Sequence, residues 1–407
     1  MNLFSRALAL FGLGGLGNPD KGAQSTGPAS RETDAGISVT DERALQISTV
    51  WACARIITQT VAGLPLKVYE RLDDGRQEVD RNHPLNRLIN VSPNRYMTPK
   101  QFRAAMTLQR VLWGNGYAVK ERIGNRVVAL TPLRPEHVEV HRGETGTTYH
   151  YATDRGPVVY AQESILHLKG FSPDGIVGLS PLSFARRQMG ITVSADTYAA
   201  KAFANGGMPI IELRYDKILK ADQRKELRDL YKQQHASAFN AGEPIISEAG
   251  VTAQSIGIPP DDMQMLESRR FSVSETGRFY GVPNHMLNDT TGSTSWGSGL
   301  EQQNIAFLQY VLKPYLEEWE DVLMNSLLAP RDRENIVVEH TVEGLMRGDT
   351  KTRAEFYSTM AQNGLMTRNE IRKKENLPSV EGGDDLTVQV NLAPINELNQ
   401  VGQSNVA

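Results

Sequence analysis

The segment SPLSFARRQMGITVSADTYAAKAFANGG, residues 180–207, organises the rest of the chain around it. Serine followed by proline is typical of a helix N-terminus, and the closing Asn-Gly-Gly is typical of a helix end. Apolar residues recur between them, largely at intervals of three and four, which predicts one long amphipathic helix. Its predicted apolar face consists of Leu182, Ala185, Met189, Val193, Ala199 and Phe203.

The residues that follow predict a small inserted domain and then a second long helix. Residues 208–259 contain short strand patterns on both sides of one helical pattern, which favours an α/β insertion. Residues 260–287 predict the second helix, with Asp261 and Gln264 as a capping box. Two helices therefore bracket a compact insertion.

A row of basic residues marks the predicted helix of the insertion: Lys220, Arg224, Arg228 and Lys232. A spacing of four residues places them on one ridge of the helix. Acidic residues alternate with them, and the insertion holds as many acidic as basic residues. The ridge can be a solvated or partner-docking surface or a DNA-gripping one, and the charge balance favours the first.

Residues 288–297 are a polar segment between two predicted helices. They include Asn288, Asp289, Thr290, Thr291, Gly292, Ser293, Thr294, Ser295 and Trp296, and none is basic. A plain surface loop is one interpretation. Residues 298–341 begin a long helix at Ser298, and Pro314 predicts a kink because it lacks the N–H that would bond to the Tyr310 carbonyl.

Upstream, residues 40–179 predict an α+β domain. Its first helix has a predicted apolar face of Ile47, Val50, Trp51, Ala54, Ile57 and Val61. Turn signals near residues 73–75, 124–125 and 142–146 predict three hairpins. Thr98 and Pro99 predict the start of another helix.

The two ends of the chain differ from the centre. Residues 1–39 contain G-x-G-x-x-G at Gly12, Gly14 and Gly17, but Pro- and Gly-rich sequence follows, so no helix can begin there to bind a dinucleotide. A flexible arm is predicted instead. Residues 342–380 predict helices, with Asp349 and then Thr367 with Glu370 as start signals, and the polar residues 381–407 predict a disordered tail.

Composition and motifs argue against an enzyme. The chain has no G-x-x-x-x-G-K-[ST], H-E-x-x-H or G-x-S-x-G pattern, so no cofactor, metal or catalytic site is predicted. Cys53 is predicted to pack in the core, and the pair His137 and His141 lacks a third metal ligand. No stretch has the roughly 20 apolar residues of a membrane span. The net charge of −3 is unlike that of a dedicated nucleic-acid binder.

Eight segments, in order, resemble the portal proteins of long-tailed double-stranded DNA bacteriophages. They are TVWACARIITQTVAGLPLKVYE from Thr49, HPLNRLIN from His83, LWGNGYAVKER from Leu112, RVVALTPLRPEHVEV from Arg126, ILHLKGFSPDGIVGLSPL from Ile165, FANGGMP from Phe203, RFYGVPNHML from Arg278 and NGLMTRNEIRKKENLPSVEGGD from Asn363. One departure is Asn284, where relatives often carry a second proline.

The resemblance implies a portal fold assembled as a ring, usually of twelve subunits, around a central channel. Residues 40–179 would form the wing, 180–207 and 260–287 the stem helices, and 208–259 the clip. Residues 288–297 would be the channel loop facing DNA, 298–341 the long kinked helix with its return to the wing, and 342–380 the crown.

The same resemblance implies the partners and the location. The expected partners are other copies of the chain, the large terminase subunit, the major capsid protein and scaffold, a head-tail adaptor, and double-stranded DNA bound without sequence preference. The ring would sit at one vertex of the virion, start head assembly, and pass DNA during packaging and ejection. The alternative is another structural virion subunit, either a capsid protein or an adaptor.

Overall fold

The computed structural model describes residues 24–25, 41–73, 76–124, 126–144, 146–204, 211–214, 220–225, 229, 252–255, 265–288, 298–342, 350–375 and 377–387. The chain divides after His340 into two compact units. The larger unit combines helices with several antiparallel sheets, which confirms the predicted α+β class.

The strands, in chain order, are β1 (Gln24–Ser25), β2 (Leu66–Arg71), β3 (Gln77–Val79), β4 (Asn115–Ile123), β5 (Arg126–Leu133), β6 (Val138–Gly143), β7 (Gly146–Thr153), β8 (Gly156–Ala161), β9 (Ile165–Lys169), β10 (Ile211–Arg214), β11 (Thr252–Ser255) and β12 (Ile336–His340). The helices are α1 (Asp41–Gln46), α2 (Ser48–Gly63), α3 (Pro84–Asn90), α4 (Pro99–Trp113), α5 (Pro181–Ala204), α6 (Met265–Tyr280), α7 (Ser298–Phe307), α8 (Lys313–Leu327), α9 (Thr350–Gln362) and α10 (Arg368–Lys374).

The three predicted hairpins are confirmed as the antiparallel pairs β2–β3, β4–β5 and β6–β7. Sequence patterns missed the outer strands that widen them into sheets. The sheet orders are β12-β2-β3, β5-β4-β9 and β1-β6-β7-β8. The strand β12 returns from far along the chain to pair with β2, and only tertiary structure brings these two together.

Two boundaries of predicted disorder need correction. Gln24 and Ser25 lie in the predicted flexible arm, yet they pair with Val140 and Glu139 of β6 and so extend that sheet. Residues 381–387, at the start of the predicted disordered tail, form turns, and Gly383 is buried among them. The main-chain oxygen of Gly383 accepts a hydrogen bond from the Asn369 N–H at 2.8 Å.

The core of the larger unit has a helical part and a sheet part. In the helical part α2 packs against α4, and α2 buries six of its apolar residues: Val50, Cys53, Ala54, Ile57, Val61 and Ala62. Burial raises the pKa of the Cys53 thiol to about 12, as expected for a packing residue. The prediction for Trp51 is wrong, because its side chain is 56% exposed. The sheet part centres on Tyr117, Val140 and Tyr149.

The predicted pair of long helices is present. Helix α5 packs against both α6 and α4. Between α5 and α6 in sequence, β10 and β11 form an antiparallel pair in which Ile211 lies opposite Ser255. None of the helices in the described part of the chain is long and apolar enough to span a membrane.

The long helix after the polar loop has three parts. Helix α7 leads into a π-helical turn over Leu308–Leu312, and α8 continues from Lys313. Pro314 is among the first residues of α8 and cannot donate to the Tyr310 carbonyl. The adjacent Lys313 N–H donates to the Leu308 carbonyl, as in a π-helix. The irregularity next to Pro314 is therefore a π-turn, and the kink predicted at Pro314 stays a prediction.

The smaller unit contains α9 and α10. Thr367 caps α10, as the sequence predicted: its hydroxyl accepts from the Glu370 N–H at 3.1 Å, and the Glu370 carboxylate accepts from the Thr367 N–H at 2.8 Å. This reciprocal pair is the capping box.

Candidate functional site

Of the predicted channel loop, the structure describes only Asn288 and the elements on either side of the loop. Asn288 has φ 59°, a left-handed conformation that asparagine tolerates, and it ends the turn Asn284–Leu287. The His285 Nε2 and the Asn304 Oδ1 are 3.0 Å apart, so a hydrogen bond links the turn before the loop to the helix after it. Eight predicted loop residues lie outside the described residues: Asp289, Thr290, Thr291, Gly292, Ser293, Thr294, Ser295 and Trp296.

Of the predicted clip, the structure describes mainly the strand pair at its base and the start of its helix. Residues 221–225 are helical, and the main-chain N–H of Lys220 donates to the Gln223 Oε1 at 3.0 Å. Lys220 and Arg224, the first two residues of the predicted ridge, are exposed. Arg228 and Lys232 lie outside the described residues.

Two loops touch at Gly114, the residue after α4. Gly114 has φ 74°, and a Cβ there would lie 2.1 Å from the Leu179 carbonyl oxygen. On the facing loop, a Cβ at Gly178 would lie 2.1 Å from the Gly114 oxygen. The Gly170 N–H donates to that same oxygen at 2.8 Å. Only hydrogen fits where these backbones meet, and we call Gly114, Gly170 and Gly178 the glycine junction.

Ser180 ties the start of α5 to this junction. Its hydroxyl donates to the Leu112 carbonyl at 2.9 Å and accepts from the Ser183 N–H at 3.1 Å. The same side chain therefore caps α5 and holds the C-terminal end of α4. The first turn of the long helix is fixed to the β-rich domain.

A buried polar chain lies beside the glycine junction. The Asn115 amide donates to the Gly178 carbonyl at 2.7 Å and accepts from the Gly178 N–H at 2.7 Å, which fixes its orientation. The Asn115 Oδ1 is also 3.0 Å from the His167 Nε2, so that nitrogen carries the proton. The His167 Nδ1 then accepts from the Tyr149 hydroxyl at 3.2 Å. Neutral His167 satisfies every member of this chain.

Stability of the larger unit is expected to fall as the pH drops below about 6.5. Burial, followed by the charge of Lys169, lowers the pKa of His167 well below its ordinary value of 6.5. The unfolded chain then takes up a proton that the folded chain refuses, so stability present above pH 6.5 is lost as the pH falls. The slope from this residue approaches about 1.4 kcal/mol per pH unit.

Urea unfolding between pH 5 and 8 measures this slope. His167→Gln removes the titrating group and should flatten the profile below pH 6.5, even if the variant is less stable at pH 8. Identical slopes in the two proteins would show that His167 does not couple folding to protonation.

The second half of the long helix is tied to α4 through Arg110. This guanidinium is 7% exposed and forms an ion pair with Glu318 of α8. It also lies over the Tyr315 ring, 3.6 Å from the ring centre, and donates to the Lys169 carbonyl at 3.3 Å. Burial raises the pKa of Glu318 more than Arg110 lowers it, so this contact is partly desolvated.

Four further contacts hold α8. The Trp319 indole N–H donates to the Thr107 hydroxyl at 3.0 Å, and the Trp319 ring is buried against Phe102. The Lys120 ammonium donates to a main-chain oxygen of α8 at 3.3 Å, and burial, then the Arg122 charge, lowers the pKa of Lys120 to about 8. The Glu320 carboxylate accepts from the His340 N–H at 2.8 Å. We call these contacts, together with those of Arg110, the helix anchor.

The first half of the long helix is packed differently. Leu300, Ile305 and Tyr310 are 36%, 47% and 73% exposed, whereas Leu316 and Leu323 of α8 are buried. The π-turn separates the two halves. The chain therefore holds α8 firmly and leaves apolar side chains of α7 and of the π-turn open to solvent.

The described residues contain no group of three His, Cys, Asp or Glu that could hold a metal ion. His141 stacks on His150, with ring centres 4.1 Å apart, and His137 lies in a 3-10 turn rather than a strand. The geometry described above positions backbone and helices and assembles no nucleophile with a base.

Comparisons with known proteins agree with this fold. The sequence model of the phage portal protein family matches residues 48–376. The portal protein of Enterobacteria phage HK97 is 41% identical over 97% of this chain and 94% of its own length. The HK97-family phage portal protein from Corynebacterium diphtheriae has a similar structure, with TM-score 0.58, 15% identity and coverage of 75% and 96% of the two chains. A chain in the neck of a gene transfer agent particle, computed with C12 symmetry, gives TM-score 0.57, 21% identity and coverage of 93% and 100%.

These findings define a structural protein of phage-like particles, not an enzyme, which confirms the prediction that the chain is non-catalytic. The chain belongs to the phage portal protein family and has a portal role. Proteins of this family form oligomeric rings. The match decides against the capsid and adaptor alternatives.

The sequence predicted neither the glycine junction nor the helix anchor as a site. The three glycines of the junction lie in two of the quoted segments, whereas most helix-anchor residues lie outside all eight. LWGNGYAVKER and ILHLKGFSPDGIVGLSPL meet at the junction. The available signal was their glycine content, since glycines within strand and loop patterns indicate close backbone approach. No local pattern showed that Arg110 and Glu318 pair.

Proposed function

We propose that this chain forms a ring at one capsid vertex, through which double-stranded DNA is packaged and later ejected. The observation that carries the proposal is the family match across residues 48–376, together with the 41% identity to a portal protein. The pair of packed helices, α5 and α6, fits a stem, and the strand pair between them fits the base of a clip. A ring of twelve copies is supported by the C12 symmetry of the related neck structure.

The nearly neutral net charge of the chain favours a role in which DNA passes through the channel over one in which DNA is bound tightly. The net charge is −3, and any charge facing the channel is repeated in every subunit of a ring. Affinity for DNA rises steeply with each phosphate that is neutralised, so a lysine-lined channel would hold DNA in place. A loop of hydroxyl and amide side chains at residues 288–297 offers weak contacts that exchange easily.

The remaining partners follow from what the chain lacks and what it exposes. It has no phosphate-binding loop, so an ATP-driven motor, the large terminase subunit, must supply the work of packaging. Lys220 and Arg224 are exposed on the predicted clip helix, which supports docking of the terminase and then of a head-tail adaptor at this ridge. The outer domain of residues 40–179 would contact capsid protein and scaffold.

Two lysines in the channel loop are expected to slow DNA packaging. Thr290→Lys with Ser293→Lys would add a ring of positive charge repeated in every subunit, and its grip on DNA should weaken as salt rises. The measurement is the rate of DNA entry into proheads at several salt concentrations, with ring assembly checked by native mass spectrometry.

The matched control is Val159→Lys with Ala161→Lys, two exposed positions on the edge strand β8. It adds the same charge away from the proposed channel and should package at the wild-type rate. If the loop variant packages like this control at every salt concentration, residues 288–297 do not face the DNA.

A further inference from the structure

Helix α5 carries a groove on one side. A cavity of about 780 Å³ lies among α1, the start of α2, α5 and α6. Its wall on α5 includes Val193, Asp196 and Ala200, whose spacing of three and four residues places them on one helix face. Ile47 and Val273 line the groove from the other elements. Polar residues, mainly serines and threonines, make up most of the remaining lining, and its charged residues are Arg43 and Asp196. The groove therefore offers an incoming side chain the methyl groups of its apolar residues and threonines, mixed with hydroxyl groups.

The opposite side of the same helix carries an apolar ridge. Phe184 is 42% exposed and Ile191 is 48% exposed. They are seven residues apart, so they lie on one face, about 10 Å from each other along the axis. Ile191 is two residues before Val193, which places it about half a turn around the helix from the groove. Neither Phe184 nor Ile191 lines the cavity.

A single chain cannot bring its own ridge into its own groove, because the two lie on opposite faces of one helix. A contact between two different surfaces is heterologous, and repetition of such a contact with a closing rotation generates a ring. The related neck structure was computed with C12 symmetry, in which copies of a similar chain lie side by side around an axis.

We propose that the ridge of Phe184 and Ile191 on one copy of this chain packs into the groove of α5 and α6 on the next copy. The occupant of the groove is thus a second copy of the same chain, bound head to tail. This inference rests on the proposed ring and adds which two faces make the contact. Two side chains alone bury less area than a stable interface needs. The ridge therefore forms the centre of a larger interface, in which surrounding residues supply the remaining buried area.

Mixing two variants tests the contact. Ile191→Asp disrupts the ridge and leaves the groove intact. Thr197 lines the groove, so Thr197→Trp fills the groove and leaves the ridge intact. Each variant alone should need at least tenfold more protein than wild type for half-maximal ring assembly. Mixed at equal concentrations, the intact ridge of one should bind the intact groove of the other and give a dimer that cannot grow.

Native mass spectrometry and sedimentation velocity report these species, and circular dichroism confirms that each variant is folded. Phe184→Asp and Ala200→Trp repeat the test if either first variant fails to fold. Val159→Asp, an exposed change on β8, should assemble like wild type.

The outcomes separate the inference from the proposed function. Rings formed normally by both variants, or a mixture that stays monomeric, would overturn the ridge-to-groove contact while the portal assignment stands. A wild-type chain that forms no ring even with scaffold and capsid protein would instead overturn the proposed function. Monomeric variants that dimerise only when mixed support the head-to-tail contact.

Discussion

Replacing Gly114 by alanine is expected to lower the free energy of unfolding by more than about 4 kcal/mol, because two separate costs add. The backbone has φ 74°, which costs a residue with a side chain roughly 1–2 kcal/mol. The new Cβ would also lie 2.1 Å from the Leu179 carbonyl oxygen, and only movement of the backbone can relieve that contact. Such movement would pull Ser180 and the start of α5 away from α4.

Gly124 provides the matched control for the glycine junction. Its φ is 59°, close to that of Gly114, but nothing lies within 4 Å of a Cβ placed there. Gly124→Ala should therefore cost only about 1 kcal/mol, the backbone share of the effect. Gly178→Ala measures the steric share, since its Cβ would lie 2.1 Å from the Gly114 oxygen.

Urea denaturation followed by tryptophan fluorescence measures all three variants. Equal midpoints for Gly114→Ala and Gly124→Ala would mean that the junction tolerates a Cβ and does not fix the start of α5. If Gly114→Ala is insoluble, Gly178→Ala still reports the steric cost without strain at a positive φ.

Replacing Arg110 by methionine is expected to lower the free energy of unfolding by about 3 kcal/mol. Breaking a fully buried ion pair costs about 3–5 kcal/mol, and the lower end applies because the Glu318 side chain is 32% exposed. Methionine keeps much of the arginine volume, so the main loss is the charge opposite Glu318 and the contact with the Tyr315 ring. Glu318 would then lie half-buried without its cation.

Lys313→Met is the control on the same helix. Lys313 pairs with Glu317 at 3.5 Å, but both side chains are more than half exposed, so this change should cost less than about 0.5 kcal/mol. Adding Glu318→Leu to Arg110→Met should recover part of the lost stability, because the stranded carboxylate is removed. A cost for Arg110→Met no larger than that of Lys313→Met would show that Arg110 does not anchor α8.

Local patterns were sufficient for most individual elements. Period-2 alternation with turn residues between predicted the three hairpins, and Thr98 and Thr367 marked the starts of α4 and α10. These signals succeed because a turn, a cap or a helix face involves residues within a few positions of each other. The prediction that Trp51 is buried failed because burial depends on more than local periodicity. Periodicity places Trp51 at the edge of the apolar face of α2, but neighbouring elements decide how far the core extends.

The family resemblance added the ring and the channel to these predictions. No helix or strand pattern within one chain indicates either of them. The order of helix, insertion, helix and loop could be derived from residues, and the family match confirmed the class of protein. The four-residue spacing of the basic ridge was also visible in the sequence. Which partner that ridge contacts is a property of two surfaces and stays a prediction.

Tertiary structure alone decided the contacts between distant segments. Trp319 bonds to Thr107 across 212 residues of sequence, and Gly178 meets Asn115 across 63. Sequence determined that glycines stand at residues 114 and 178, that a long helix follows the polar segment, and that Pro314 lies within it. It could not determine that those glycines touch each other or that α8 lies on α4, because long-range packing depends on the shape and burial of all the elements together.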